Sequence, residues 1–388
     1  MKQTTIGVIG CGVIAQVYAA NIHRFYQKLQ LAACTDMAME KAQAFAEKFD
    51  IPKVCTTEEL LQDPGIDIIL NLTIPAVHYE INKAAILCGK HVFCEKPLSL
   101  RMADAKELVL LAEQNHVMLG CAPDTFLGAA LQTCRRLIDE GWIGTPIAAT
   151  ANMMNHGTET WHPAPDFYYK AGGGPMWDMG PYYVTALVSL FGPVAQTCCF
   201  SRKGTPEREI YSLPRRGEQI PVEIETHYSG VLRFQNGVIA NMNMSFDAWL
   251  SNLPKLEVYG TDGTLIIPDP NHFSGEVKLL RKEGLIDEID GLSNKEATGR
   301  LSRPEMWEKF KVMPSLYRQP DKNMRGIGLL DMAFAIENRR KNRASAALAC
   351  HVTEVLESMN GNGGITELTT SCERPAPLPI GQDVGALD

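Results

Sequence analysis

The run Gly10-Cys11-Gly12-Val13-Ile14-Ala15 follows an apolar stretch at residues 5–9 and opens an amphipathic one. Strand, glycine turn and helix in that order form the context a dinucleotide-binding turn requires. The first glycine makes the tight turn, the second lets the backbone approach a pyrophosphate, and the small Ala15 permits close packing of helix on strand. Free N–H groups and the positive dipole end at the helix start then favour the anion. Asp36 ends the second apolar run, where a carboxylate accepts hydrogen bonds from both hydroxyls of an adenine ribose. It also repels a 2′-phosphate, and Met37 after it supplies no cation. Gly10, Gly12, Val13, Ile14 and Asp36 are therefore expected along NAD, with NADP disfavoured.

Alternation extends this turn into a domain. Strand-like runs at 5–9, 30–35, 66–72, 91–94 and 117–121 are separated by helical patterns, which predicts a doubly wound parallel sheet over residues 1–122. Thr56 and Glu59 are spaced as a capping box, and Ser99 precedes the amphipathic stretch 100–115. Beyond Pro123 the rhythm changes. A helix is expected over 127–140, a Gly/Pro/aromatic loop over 156–174 and a helix over 175–191. Alternating β-like stretches follow at 220–234, 237–246, 255–259, 264–267 and 276–280, with turn signals at Asn236-Gly237 and Asp262-Gly263. The fold class is α/β, with a second α/β domain over 123–373 carrying a large, mostly antiparallel open sheet. Helices at 325–340 and 345–359 close it, and a Pro/Gly-rich tail at 374–388 is expected to be flexible.

Composition narrows the function classes. With 388 residues, 45% hydrophobic, there is chain enough for two cores. A net charge of -8 argues against nucleic acid, because no basic stripe is present to neutralise a phosphate backbone. Arg339, Arg340, Lys341 and Arg343 read as the solvated end of a helix. No apolar run reaches 18 residues, so no membrane span is expected. The polar start lacks a secretory pattern, and Cys34, Cys94 and Cys121, among eleven cysteines, fall in apolar runs. Free thiols in a reducing cytoplasm are the expectation.

Glu95-Lys96-Pro97 lies just after the 91–94 run, at the carboxyl edge where open α/β sheets bind ligands. Gly173-Gly174-Pro175-Met176-Trp177-Asp178-Met179-Gly180-Pro181-Tyr182 lies downstream. With the glycine turn, these motifs resemble the Gfo/Idh/MocA oxidoreductases, which share a Rossmann domain, Glu-Lys-Pro, and Gly-Gly-x-x-x-Asp-x-Gly-x-His. The resemblance covers nearly the whole chain and implies hydride transfer between NAD and a hydroxyl-bearing carbon of a sugar, glycoside or cyclitol. It makes Lys96, Asp178 and Tyr182 the catalytic candidates, with Tyr182 where most members carry His. Tyrosine has an ordinary pKa near 10 and needs help to act as a base. Two roles stay open: Lys96 and the positive nicotinamide ease a Tyr182 phenolate that takes the proton, or, the preferred expectation, Lys96 takes the proton and Tyr182 positions the hydroxyl. Thr73, His78, Glu95 and Lys96 complete the expected cofactor contacts.

Asp178 and Tyr182, four apart, share one helix face. In the preceding loop His156, Glu159, Trp161 and His162 supply two imidazoles, a carboxylate and an indole, a set suited to a polyol. Zinc is an alternative for His156, Glu159 and His162, but substrate contact is favoured and no metal is assigned. Two other readings stay open: a glycoside-processing enzyme that recycles bound NAD within each turnover, and a non-catalytic NAD sensor. The resemblance also implies a homodimer or homotetramer through residues 220–280.

Overall fold

The computed structural model describes residues 3–360 and 363–381. The first third alternates β1 (Thr4–Ile9), α1 (Val13–Phe25), β2 (Leu29–Thr35), α2 (Met39–Lys48), β3 (Lys53–Val54), α3 (Thr57–Gln62), β4 (Ile68–Asn71), α4 (His78–Leu87), β5 (His91–Cys94), α5 (Met102–Gln114) and β6 (Leu119–Cys121). All six strands are parallel, in the order β3-β2-β1-β4-β5-β6. Every residue of β4 and β6 is buried, as expected when helices cover both faces of a parallel sheet. The order reverses between β1 and β4, which opens a crevice at their carboxyl ends. Thr56 and Glu59 form the predicted capping box on α3. Ser99 is not a cap: its hydroxyl accepts from Arg101 N–H, and α5 starts only at Met102.

The chain continues through α6 (Ala129–Asp139), β7 (Pro146–Met154), α7 (Gly174–Phe191), β8 (Val194–Arg202), β9 (Glu207–Glu209), β10 (Gln219–Pro221), β11 (His227–Phe234), β12 (Ile239–Ser245), β13 (Leu256–Gly260), β14 (Gly263–Ile267) and β15 (Lys278–Arg281). Then come α8 (Glu283–Ile289), α9 (Asn294–Leu301), β16 (Lys311–Val312), α10 (Ile327–Glu337), α11 (Ala346–Ser358) and β17 (Ile365–Glu367). Nine strands form one sheet, ordered β16-β15-β14-β13-β7-β12-β11-β8-β17 and antiparallel except where β12 runs parallel to β7. Gly237 turns β11 into β12 with φ of 92°, and the Asn236 side chain accepts from Val238 N–H. The predicted stretch 220–234 is split: β10 pairs only with β9, and the chain leaves the sheet until His227. In between, Glu223 N–H donates to the Tyr169 carbonyl beside the start of α7.

One face of this sheet is apolar and packs under α7, through Ala149, Ala151, Leu232, Ala240, Met242 and Val258. The opposite face carries Thr150, Asn152, Ser229, Val231, Asn241, Asn243 and Phe200. Helices α10 and α11 return to the first sheet, where Cys121 N–H donates to the Ala344 carbonyl and α11 packs on α5. Two expectations for the C-terminal region need correction. Arg340 and Arg343 do not end a solvated helix; both reach back to the fully buried Asp331 carboxylate, Arg340 at 2.7 Å. A buried carboxylate requires such partners. Of the tail, residues 382–388 lie outside the described residues, but 374–378 are docked. Arg374 pairs with Asp139, Arg135 grips the Pro375 carbonyl, and Leu378 is buried. Its N–H donates to Gln132 and its carbonyl accepts from Tyr317. Among the described residues no helix is long and apolar enough to cross a membrane.

Truncating a buried leucine costs about 2–5 kcal/mol. Leu378→Ala is therefore expected to lower stability by about 2 kcal/mol or more in urea unfolding, where a loose tail would leave the midpoint unchanged.

Candidate active site

At the crevice, Gly10 adopts φ of 95°, and a Cβ there would stand 2.7 Å from the Leu72 carbonyl oxygen, so only glycine fits the turn. Gly12 caps α1, has no side-chain cap of its own, and a Cβ on it would meet nothing within 4 Å. The first turn of α1 carries no acidic residue. Open space above uncapped N–H groups at a helix start suits a pyrophosphate. Asp36 is aimed by two backbone donors, Cys11 N–H at 2.8 Å and Ala38 N–H at 3.0 Å. Val13 (87% exposed), Met37 and Ile74 (66%) line the same edge, an apolar row uncovered by protein. Large exposed apolar groups gathered at one edge mark a binding surface, and an adenine and a nicotinamide fit this one.

His78, expected to touch the cofactor, is fully buried. Its Nδ1 faces the Pro97 carbonyl at 2.7 Å and its Nε2 the Thr73 carbonyl at 3.0 Å. The ring therefore ties the Thr73 loop to the turn after Lys96 and leaves neither nitrogen for a ligand. Burial disfavours its charge, but the Cys94 sulfur and the two carbonyls more than offset this and lift the ring to about 9. Glu95 is likewise turned inward: one oxygen accepts from the Tyr18 hydroxyl at 2.8 Å, the other from Lys96 N–H at 3.0 Å.

Lys96 reaches across to α7. Its Nζ donates to the Asp178 carbonyl at 2.6 Å and to the Asp178 Oδ1 at 2.9 Å, and stands 5.2 Å from the centre of the Tyr182 ring. The helical spacing of Asp178 and Tyr182 is what lets one ammonium meet both. Burial works against the lysine charge, yet Asp178, Tyr182 and Glu95 together outweigh it and hold Lys96 above the ordinary lysine range. Burial also raises Tyr182, while Lys96 and Arg325 oppose that rise. Lys96 is thus a firmly held cation, which runs against its expected role as proton acceptor.

The loop 156–174 divides its candidates. His162 packs edge-on against Trp161, Phe167 and Tyr168, with Trp161 63% exposed. Tyr168 in turn senses Asp178 and Lys96, and burial followed by the Asp178 charge pushes it up to about 12. Trp161 and His162 therefore continue the Lys96 cluster as an aromatic wall. His156 and Glu159 do not. His156 stacks on Trp249 at 3.4 Å, in a separate hollow of about 400 Å³. Glu159 is wholly buried, bound to Arg208 at 2.7 Å and to the Tyr169 hydroxyl. Its carboxylate anchors the loop, so the expectation of a substrate contact there is corrected.

Three neighbours of the cluster lacked any sequence signal. Tyr168 lies in an aromatic run, Arg325, just before α10, opposes the rise in the Tyr182 pKa with its charge, and Asn271 accepts from Arg325 at 3.0 Å.

Comparison with known proteins bears on the whole chain. Residues 4–122 match the model of an oxidoreductase family with an NAD-binding Rossmann fold, and residues 131–266 match the GFO/IDH/MocA C-terminal domain. The 1,5-anhydro-D-fructose reductase of Ensifer adhaerens is 31% identical over 67% of this chain and 74% of its own. The trans-1,2-dihydrobenzene-1,2-diol dehydrogenase of Bos taurus is 27% identical over 68% and 74%. An NAD-binding oxidoreductase from Klebsiella pneumoniae shares the fold, with a TM-score of 0.76 at 22% identity over 94% of this chain and 98% of its own.

Asp36→Ala removes the ribose acceptor together with the repulsion of a 2′-phosphate. It is expected to weaken NAD binding while narrowing the preference for NAD over NADP, read from cofactor fluorescence titrations; equal affinity of the unmutated protein for both refutes the role of Asp36.

Proposed function

Since the chain belongs to the Gfo/Idh/MocA oxidoreductase family, we propose that it moves a hydride between NAD and a secondary hydroxyl carbon of a sugar, glycoside or cyclitol. The observation that carries this is the Lys96, Asp178 and Tyr182 cluster, placed beyond the strand ends that carry Gly10 and Gly12. The polar cluster beside the Trp161 and Tyr168 wall suits a polyol, whose hydroxyls need donors and acceptors and whose C–H face packs on rings. The two curated relatives act, by name, on an anhydro sugar and on a ring diol.

NAD supplies the hydride acceptor or donor. Gly10, Gly12, Val13, Ile14, Asp36 and Thr73 would hold it, with His78 and Glu95 supporting from beneath. Asp178 fixes the Lys96 ammonium, which orients the reacting hydroxyl and steadies negative charge on its oxygen. Tyr182, the hydroxyl acid whose ring lies beside that ammonium, passes the proton. This assignment reverses the order expected from sequence, because an ammonium bound to a carboxylate gives up its proton reluctantly. The eleven cysteines form no disulfide, which supports a reducing cytoplasm as the site of action. The uncovered sheet face around Phe200 (67% exposed), Val231 and Ile239 supports a homodimer closed across it.

The substrate is found by following NADH formation over a panel of free sugars, glycosides and cyclitols; no turnover with any of them overturns the reading. With the best substrate, Tyr182→Phe is expected to lose about 10²–10⁴-fold in kcat, the usual contribution of a general acid or base. Lys96→Arg keeps the charge and is expected to lose less; the opposite ranking returns the proton to Lys96. Light scattering at micromolar concentration is expected to show a dimer or larger, and Phe200→Asp to dissociate it.

A further inference from the structure

The hollow behind the 156–162 loop takes no part in the chemistry at Lys96, yet it is built as a site. Its volume of about 400 Å³ lies within the usual range for small-molecule pockets. Arg208, on β9, forms the floor; its side chain is only 4% exposed and is held between Glu159, at 2.7 Å, and Asp247, just after β12. Asp247 also accepts from the Thr226 hydroxyl at 2.7 Å, which in turn accepts from Gly204 N–H at 2.8 Å. A Cβ on Gly204 would stand 2.4 Å from Asp247 Oδ1, so the backbone there is drawn close to the carboxylate. Although both ends of the guanidinium are fixed in this way, its Nε has no hydrogen-bond partner among the described residues. Nδ1 of His156, whose Nε2 stands 3.9 Å from the same Glu159 carboxylate, has none either. Buried polar groups are nearly always paired, so two unpaired ones in one hollow call for a partner from outside the chain.

The rim is aromatic. His156 lies flat on Trp249, with ring centres 3.4 Å apart and planes 13° from parallel, and the Tyr211 ring stands 6.1 Å from the indole. The stack holds one face of the indole in a fixed plane, while Trp249 remains 71% exposed. A rigid, open indole beside a polar floor is a platform for a molecule with one apolar face. Charge then selects the class of that molecule. Glu159, Asp247, Glu207 and Glu209 line the hollow against the single guanidinium of Arg208, so phosphates and carboxylates are repelled. Burial and the Arg208 charge hold His156 below the ordinary imidazole range, so it adds no cation at neutral pH. An organic cation would answer the carboxylates but offers no acceptor to Arg208 Nε. A neutral sugar ring answers all of them: its hydroxyls both donate and accept, and its C–H face packs on the indole.

We propose that this hollow is a second carbohydrate site, which seats a neutral sugar ring on Trp249 and Tyr211 with its hydroxyls turned to Arg208 and the carboxylates. The site adjoins the reaction site through one loop. Tyr211 and Ser212 N–H both donate to the Glu159 carbonyl, at 3.0 and 3.1 Å, and the Ser212 hydroxyl donates to the His162 carbonyl, so the segment that brings Tyr211 to the hollow also braces the Trp161 and His162 wall. The ring is either the non-reacting unit of a glycoside or a separate sugar, and the two differ in their kinetics. The proposal rests on the reading of the chain as a sugar oxidoreductase, and it adds a place for a second ring.

The test uses the full chain saturated with NADH, so that no alcohol is oxidised while glucose, maltose, cellobiose and maltotriose are titrated by calorimetry. Trp249→Ala, Trp249→Phe and Tyr211→Ala are compared with the unmutated protein, each first shown by circular dichroism to be folded. At least one of these sugars is expected to bind about 10-fold more weakly to Trp249→Ala, with a smaller loss in Tyr211→Ala and recovery in Trp249→Phe, which keeps an aromatic face. Sugars that are turned over with NAD separate the two sources. A glycoside unit in the hollow raises the KM of the disaccharide about 10-fold in Trp249→Ala, leaving its kcat and the KM of glucose within about twofold. A separate sugar binds at two per chain in the unmutated protein and at one in Trp249→Ala, with every KM unchanged. No sugar bound, or equal affinity in Trp249→Ala and the unmutated protein, overturns the proposal. Loss of the oligomer in Trp249→Ala by light scattering also overturns it, since the indole then belongs to a subunit contact. Sugar binding that depends on Trp249 in a protein that oxidises none of the sugars upholds the site and overturns the oxidoreductase reading instead.

Discussion

The contact of Lys96 with Asp178 is the constraint around which the rest is arranged. It joins the turn after β5, in the parallel sheet, to the start of α7, which lies on the mixed sheet. An exposed ion pair is worth about 0–1 kcal/mol. This one differs because the lysine side chain is only 16% exposed, and it meets a backbone carbonyl as well as the carboxylate. Geometry follows from it. With the ammonium fixed, the Tyr182 ring lies beside it and the Tyr168 phenol feels its charge, while Val13 and Ile74 stand exposed after the carboxyl ends of β1 and β4.

Charge beneath the crevice is arranged with similar economy. Glu95, Asp124, Lys96 and Arg325 are all largely shielded from water, and each is answered by a specific partner: Tyr18 for Glu95, the Gly326 and Gly328 N–H groups for Asp124, Asp178 for Lys96, Asn271 for Arg325. Burial lifts Asp124 to about 6 against the opposing pull of those two N–H groups. Buried polar groups persist only when so partnered, and here the partners come from different parts of the chain. The site is consequently a product of tertiary closure.

That is also why the sequence disclosed it unevenly. The turn at Gly10 and Gly12, the capping box at Thr56, and the shared helix face of Asp178 and Tyr182 are local patterns, and the structure contains each of them. Strand β7 escaped notice because Ala148, Ala149 and Ala151 are poor strand formers; it is a central strand because β12 and β13 flank it and small residues let α7 approach. Glu159 looked like a ligand among histidines, and only Arg208, 49 residues on, shows it to be an anchor. Arg325 carried no local mark at all. Its place is fixed by the Asn21 and Asn271 contacts and by the bond from the next residue, Gly326, to Asp124, which no spacing in the sequence encodes.

The return of α10 and α11 to the first sheet joins one face of that sheet to the mixed sheet. A single apolar cluster runs from Ile6, Val8 and Phe93 through Leu329 and Met332 to Met176, Met242 and Val258. A Cβ on Gly120 would stand 2.6 Å from both Met332 Cε and Asn342 Nδ2, so β6 and the returning segment are fitted to each other at backbone range. Cut after residue 122, the nucleotide-binding half would leave that surface bare. The returning segment therefore belongs to the packing of both sheets, and removing it would open the apolar cluster they share.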